Sequence, residues 1–233
     1  MCDCRCVGGA GRFTYQEDRA CAKVTKGAFH LRLSLDGIAG SRGCADRILA
    51  WQTVRRYTKA AAMRVYVPLT LPDLQVAHSA GELVPERGAI LAYAVTPGLR
   101  EWYVSDDSEE LEYAALNRAA QSSLRLLAAR PDAPRRRVVV AADVRDGEVA
   151  FDPDQVLDRE SLGEVRIASP VRLSEAAAVH VDADDAEADV SAAADALGAA
   201  DMGDEDARFT VDGAEDHELL WYGVQEIPHV FGR

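Results

Sequence analysis

The sequence predicts an α/β or α+β domain: one mixed sheet of about five strands with helices packed on it, preceded by an unstructured N-terminal stretch. Three observations carry this. Short β-branched runs alternate with helical patterns from Met63 onward. Strand–hydroxyl–proline junctions recur at Thr70, Thr96-Pro97 and Ser169-Pro170. Residues 1–62 show little periodicity beyond pieces such as His30–Leu35 and Asp46–Trp51. A ferredoxin-like split βαβ arrangement and a small open sheet both fit this pattern.

Each element has its own signal. Arg64–Leu69 alternates as a strand, with Val65 and Val67 on one face. Thr70 caps a helix with Pro72 in its first turn, Asp73 at capping-box spacing, and Leu71, Leu74 and Ala77 as its apolar stripe. Pro85 and Gly88 bound a loop before a second strand, Ala89–Val95. Thr96-Pro97 opens a short helix through Tyr103. Asp107 with Glu110 caps a long helix over 108–129, whose expected buried face is Tyr113, Leu116, Ala120, Leu124 and Leu127. Pro131 and Pro134 stop it.

Arg135–Val144 is the strongest strand, and its run Val138-Val139-Val140 marks a central strand covered on both faces. Asp146-Gly147 is a turn from which Glu148–Phe151 can pair back as a hairpin. Val165–Ala168 and Val179–Asp182 read as strands, with a short helix over Ser174–Ala178 between them. Ala186–Leu197 reads as a helix ending at Gly198, Phe209–Val211 as a last short strand, and Glu215–Gln225 as a C-terminal helix stopped by Pro228.

Charge divides the chain. The 233 residues carry a net −13, but residues 1–62 hold 11 Lys/Arg against 5 Asp/Glu, and residues 63–233 hold 15 against 34. The first part is thus net +6 and the second net −19. All five cysteines and all three lysines lie before Met63. The first stretch reads as a basic extension or as sequence upstream of a true start at Met63, and the second reading is favoured because a strand begins there directly. The run Cys2, Cys4, Cys6 lacks a second ligand pair at zinc-site spacing.

These features exclude several function classes. Net −19 disfavours nucleic-acid binding, which needs Lys and Arg to neutralise phosphate. No apolar run reaches the ~20 residues of a membrane helix, and no secretory h-region stands at the N-terminus. A cytoplasmic location is expected. Residues 63–233 contain no Cys or Lys, so they offer no thiol nucleophile, thiolate metal site, Schiff base or P-loop lysine. No G-x-G-x-x-G after a strand, G-x-S-x-G or H-E-x-x-H is present.

The remaining candidates are carboxylates, histidines and aromatics. The acidic stretch Asp182–Asp189 fails the EF-hand pattern, having Ala186 and Glu187 at its fifth and sixth positions. Its carboxylates suit the positive N-terminus of the following helix. A second acidic cluster, Asp201, Asp204, Glu205 and Asp206, reads as solvated loop. His180 lies on the face opposite Val179 and Val181, and Asp182 shares its face. With His217 these two form the candidate metal set. Asp143 ends the Val-rich strand, where α/β proteins often place functional carboxylates. Arg135-Arg136-Arg137 reads as a solvated strand start rather than a phosphate site. Trp221 and Tyr222 are the candidate partner-binding anchors.

Taken together, Met63-Arg-Val-Tyr-Val-Pro, Thr96-Pro-Gly-Leu-Arg-Glu-Trp-Tyr103, Glu110-Leu-Glu-Tyr113, Arg137-Val-Val-Val-Ala-Ala-Asp143, Ala178-Val-His-Val-Asp182 and Asp216-His-Glu-Leu-Leu-Trp-Tyr222 resemble an actinobacterial family of uncharacterised proteins, a domain of unknown function. The resemblance spans 63–233 and implies no activity, cofactor or catalytic residue. The expected role is a non-catalytic protein-binding or regulatory module. The alternative is a metal-assisted hydrolase or small-ligand enzyme using His180, Asp182 and His217.

Overall fold

The computed structural model describes residues 22–26, 29–33, 62–85, 88–151 and 161–232. The chain divides into two units, 1–57 and 58–233. In the first unit, within the stretch expected to be unstructured, β1 (Ala22–Lys26) and β2 (Phe29–Leu33) form an antiparallel hairpin with Val24 opposite Leu31.

The second unit begins with β3 (Ala62–Leu69), then α1 (Leu71–Ala80) and β4 (Glu82–Leu83). Thr70 Oγ1 accepts from the Asp73 amide while Asp73 accepts from the Thr70 amide, closing the expected capping box. Leu71, Leu74 and Ala77 are its buried face, as the spacing requires. Gly81 ends α1 with φ +79°, a left-handed conformation that glycine adopts without strain. Next come β5 (Ile90–Ala94), α2 (Pro97–Tyr103) and α3 (Ser108–Ala129). Thr96 caps α2 through the Leu99 amide, and Asp107 caps α3 through the Glu109 and Glu110 amides. Between them Val104 takes φ +50°, an unusual angle for a β-branched residue.

The remaining elements are β6 (Val138–Arg145), β7 (Val149–Ala150), β8 (Glu164–Ile167), β9 (Val171–Arg172), β10 (Ala176–Asp182), α4 (Glu187–Asp201), α5 (Glu205–Gly213), β11 (Leu219–Tyr222) and α6 (Ile227–Phe231). Seven strands form one sheet in the order β11-β10-β6-β3-β5-β8-β7, with every neighbouring pair antiparallel. β4 and β9 form a separate two-stranded ladder. The sheet therefore exceeds the five strands expected. A split βαβ unit is present: β5 and β6, joined through α2 and α3, run parallel to each other on either side of β3, which is antiparallel to both.

β6 lies inside the sheet and buries both faces, as its valine run predicts. Val138, Val140 and Ala142 join Val65, Val67, Val179 and Val181 beneath α1 and α6. Val139 and Ala141 face the other way, towards the N-terminal half of α3. That half buries Leu111, Ala114, Ala115, Ala119 and Ala120, rather than the predicted Tyr113. Alanines let the helix axis approach the sheet, and Tyr113 is turned to solvent. Leu124 and Leu127, further along α3, pack instead against Val190, Ala193, Ala194 and Leu197 of α4.

Four predicted elements change type or partner. Phe209–Val211 lies inside helix α5, capped by Asp204 through the Ala207 amide. Glu215–Gln225 is not a helix: its centre is β11, because Leu219–Tyr222 pair with Val179–Asp182. Four apolar and aromatic residues in a row satisfy either a short helix or a strand, and the open edge of β10 decides between them. Ser174–Ala178 splits into one 3₁₀ turn, Leu173–Glu175, and the start of β10. β7 pairs with β8 rather than folding back onto β6. Helix α4 also runs through Gly198 to Asp201.

Candidate functional site

A groove of about 320 Å³ lies between the sheet and the first turns of α3. Its floor is built from residues of one sheet face in four adjacent strands. These are Arg64 and Tyr66 of β3, Ala141 of β6, Ala178 and His180 of β10, and Trp221 of β11. Period-2 alternation puts all of them opposite the Val65/Val67 and Val179/Val181 face. The helical wall is Glu109, Glu112, Tyr113 and Leu116, spaced i, i+3, i+4, i+7 on one face of α3. Small residues at 141, 177 and 178 leave the space open.

The polar groups in the groove are mutually held. Arg64 donates Nε to Asp143 Oδ1 at 2.7 Å and Nη2 to Oδ2 at 3.3 Å, a bidentate pair across β3 and β6. That hydrogen bond, the largest contribution, raises the Arg64 pKa further. Tyr66 donates its hydroxyl to Glu112 Oε2 at 3.2 Å, tying the sheet to α3. Burial first, and the Glu112 charge second, push the Tyr66 phenol well above its ordinary range, so it stays a donor. Burial, aided by the Arg64 charge, lowers the His180 pKa, so the imidazole stays neutral near pH 7. With Arg64 balanced by Asp143, Glu109 and Glu112 leave the groove net negative.

Trp221 stands directly opposite His180 across the β10–β11 ladder and is 62% exposed. Tyr113 closes the helical side and is also exposed. Tyr222 belongs to the other face, where it packs half-buried against the core under α1 and α6. The two aromatic candidates therefore separate: Trp221 lines the groove and Tyr222 does not.

The three metal candidates separate as well. Asp182 is wholly buried and bound to Arg137. Its Oδ2 accepts from the Arg137 amide at 2.6 Å and its Oδ1 from Nη2 at 2.8 Å. Arg136 donates to the Asp182 carbonyl, and Arg137 Nη2 also reaches the His217 carbonyl at 3.0 Å. His217 pairs its Nε2 with Asp189 Oδ2 at 2.7 Å. Only His180 lines the groove. Among the described residues, no group of three or more His, Cys, Asp or Glu is arranged to hold a metal ion.

Arg136 and Arg137, expected to be a solvated strand start, are buried and serve internal carbonyls and the Asp182 carboxylate. The stretch Asp182–Asp189 divides its labour among the ion pair, the 3₁₀ turn Asp184–Ala186 and α4. Asp201 pairs with Arg125, and Asp204 caps α5. Asp143 does not line the groove itself and bears on it only as the partner of Arg64, which does.

Sequence reasoning missed Arg64, Tyr66, Glu109 and Glu112. Their signal was available: Arg64 and Tyr66 are polar alternates in an otherwise apolar strand, and the two glutamates share a helix face with Tyr113.

Among the described residues no helix is long and apolar enough to cross a membrane. A model of a family of unknown function, DUF6912, matches residues 63–231. No curated protein and no solved structure matches the chain.

Proposed function

The chain belongs to DUF6912, a family of unknown function, and we propose from the geometry of its groove that it is a non-catalytic binding module that docks a protein partner around Trp221. The exposure of Trp221 at the mouth of a groove carries this reading: a large aromatic left 62% exposed beside a net negative cleft has the makings of an interface anchor. The groove's own chemistry supports binding over catalysis. Arg64 is spent on Asp143, and the Tyr66 phenol is held as a donor to Glu112. The Arg-only composition after Met63 is that of a high-GC genome and supports an actinobacterial origin; we place the module in the cytoplasm, where a cysteine-free domain folds without oxidation.

The test is photo-crosslinking in the native cell with a photoreactive amino acid at position 221. A discrete protein adduct at 221, absent when the same amino acid replaces exposed Val76, is the expected result. Equal or no labelling at the two positions overturns the reading.

A further inference from the structure

Resting on that reading, we infer that the partner is an extended segment bearing Lys or Arg, added to the sheet as an eighth strand along β11.

β11 is an edge strand: β10 pairs with one side of it, and among the described residues no strand pairs with the other. Alternate residues of an edge strand direct their N–H and C=O groups outward, ready to pair with an incoming chain. Proteins usually blunt such edges with Lys, Pro, a bulge or extreme shortness. The opposite edge obeys this, since β7 is only two residues long. β11 does not. It reads Leu-Leu-Trp-Tyr, with no Pro and no charge, and Leu220 and Trp221 are both exposed.

Charge selects the occupant. From Phe209 to Gly232 the chain has no Lys or Arg, while Glu215, Asp216, Glu218 and Glu226 flank β11. The adjoining groove presents Glu109 and Glu112. A second copy of this chain would align two such edges, each from a net −19 domain, and like charges facing one another oppose that pairing. An extended basic segment suffers no such penalty. Its backbone would complete the ladder, and alternate side chains would project on the Trp221 side. There a Lys or Arg meets the face of Trp221 and the groove carboxylates, an aromatic and electrostatic match for a cation.

The experiment selects peptides from a random decapeptide display library on the immobilised full chain. The enriched peptides are expected to alternate Lys or Arg with apolar residues and to exclude Pro from their centre. A synthetic copy of the best one should bind about 10-fold more weakly or worse when its cations become Gln, and likewise when a central residue becomes Pro. Its binding should slow amide exchange in β11. Enrichment of acidic or aperiodic peptides, tolerance of central Pro, or no enrichment at all overturns strand addition.

Trp221→Ala separates the two failures. If it abolishes capture while central Pro is tolerated, the Trp221 docking site stands and strand addition falls. If Trp221→Ala leaves capture unchanged, the docking reading falls as well. A dimer paired through β11 in sedimentation and exchange measurements also overturns the basic partner.

Discussion

His180 and Asp182 are two residues apart on the same strand and the same sheet face, yet they belong to opposite kinds of site. Around Asp182 every polar group is answered from within: Arg137 clamps the carboxylate, Arg136 takes the carbonyl, and solvent is excluded. Around His180 the floor is alanine, the wall is a helix face carrying two glutamates, and the rim is an exposed tryptophan. The closed cluster secures β6, β10 and the segment before β11 to one another. The open groove uses the same β10–β11 register to present Trp221. Polar residues close together in sequence thus do not make a site; what covers them decides whether they hold the fold or face a ligand.

The largest expected effect tests the closed side. Asp182→Ala leaves the buried Arg137 guanidinium without its carboxylate and should cost about 3–5 kcal/mol in denaturant unfolding. The double variant Asp182→Leu with Arg137→Met should recover much of that loss, because the unpaired charge is gone. A single-variant loss within about 0.5 kcal/mol, the scale of ordinary surface changes, would break the contrast.

The open side should behave inversely. Trp221→Ala should change unfolding free energy by less than about 1 kcal/mol, since its side chain is mostly in water. Partner binding should weaken about 30-fold or more, the scale of an interface anchor. Ala177→Arg, which places a cation in the groove from an exposed position, should likewise lower binding of a basic peptide while the melting temperature holds. Titration by fluorescence anisotropy alongside thermal melts checks both.

A smaller effect concerns the turn that sets α3 over the groove. Val104 holds φ +50° and is 89% exposed, so it pays backbone strain with little burial in return. Val104→Gly should raise stability by about 0.5–1 kcal/mol in chemical denaturation, the relief of a left-handed residue less the added chain entropy of glycine. No gain would mean that the Val104 side chain has a role at the groove rim.

The smallest effect is a pH dependence at His180. Its pKa is lowered in the folded state by burial and by Arg64. Below the ordinary histidine range, about 6.5, the unfolded chain therefore binds the proton more readily than the folded one. Stability is fully present above that pH and is lost as pH falls through it. His180→Gln should flatten this part of the profile relative to wild type, measured as melting temperature between about pH 5 and 7. Parallel profiles would show that the imidazole is freely solvated.

Much of the fold is legible before any coordinates. Thr70, Thr96 and Asp107 announce their helices because capping is chemistry between residues two or three apart. The valine run of β6 and the stripe of α1 announce burial because period and apolarity coincide there. The groove is half legible: Trp221 and His180 stand out, whereas Arg64, Tyr66, Glu109 and Glu112 acquire meaning only as neighbours. The type of Glu215–Gln225 is not legible in sequence because it depends on whether a strand waits beside it, and that strand lies about forty residues earlier along the chain.

By itself, then, the sequence determined the capped helices and the valine-rich central strand, the charge division at Met63, the absence of thiol and amine chemistry after it, and the family. Each of these depends on composition or on residues a few positions apart. Tertiary structure alone decided the seven-stranded order, the strand character of β11, the burial of Arg136, Arg137 and Asp182, and the convergence of four strands and one helix on a groove. Those depend on which distant segments meet. A strand or an ion pair is a relation between two places in the chain, and its free energy exists only once both have arrived.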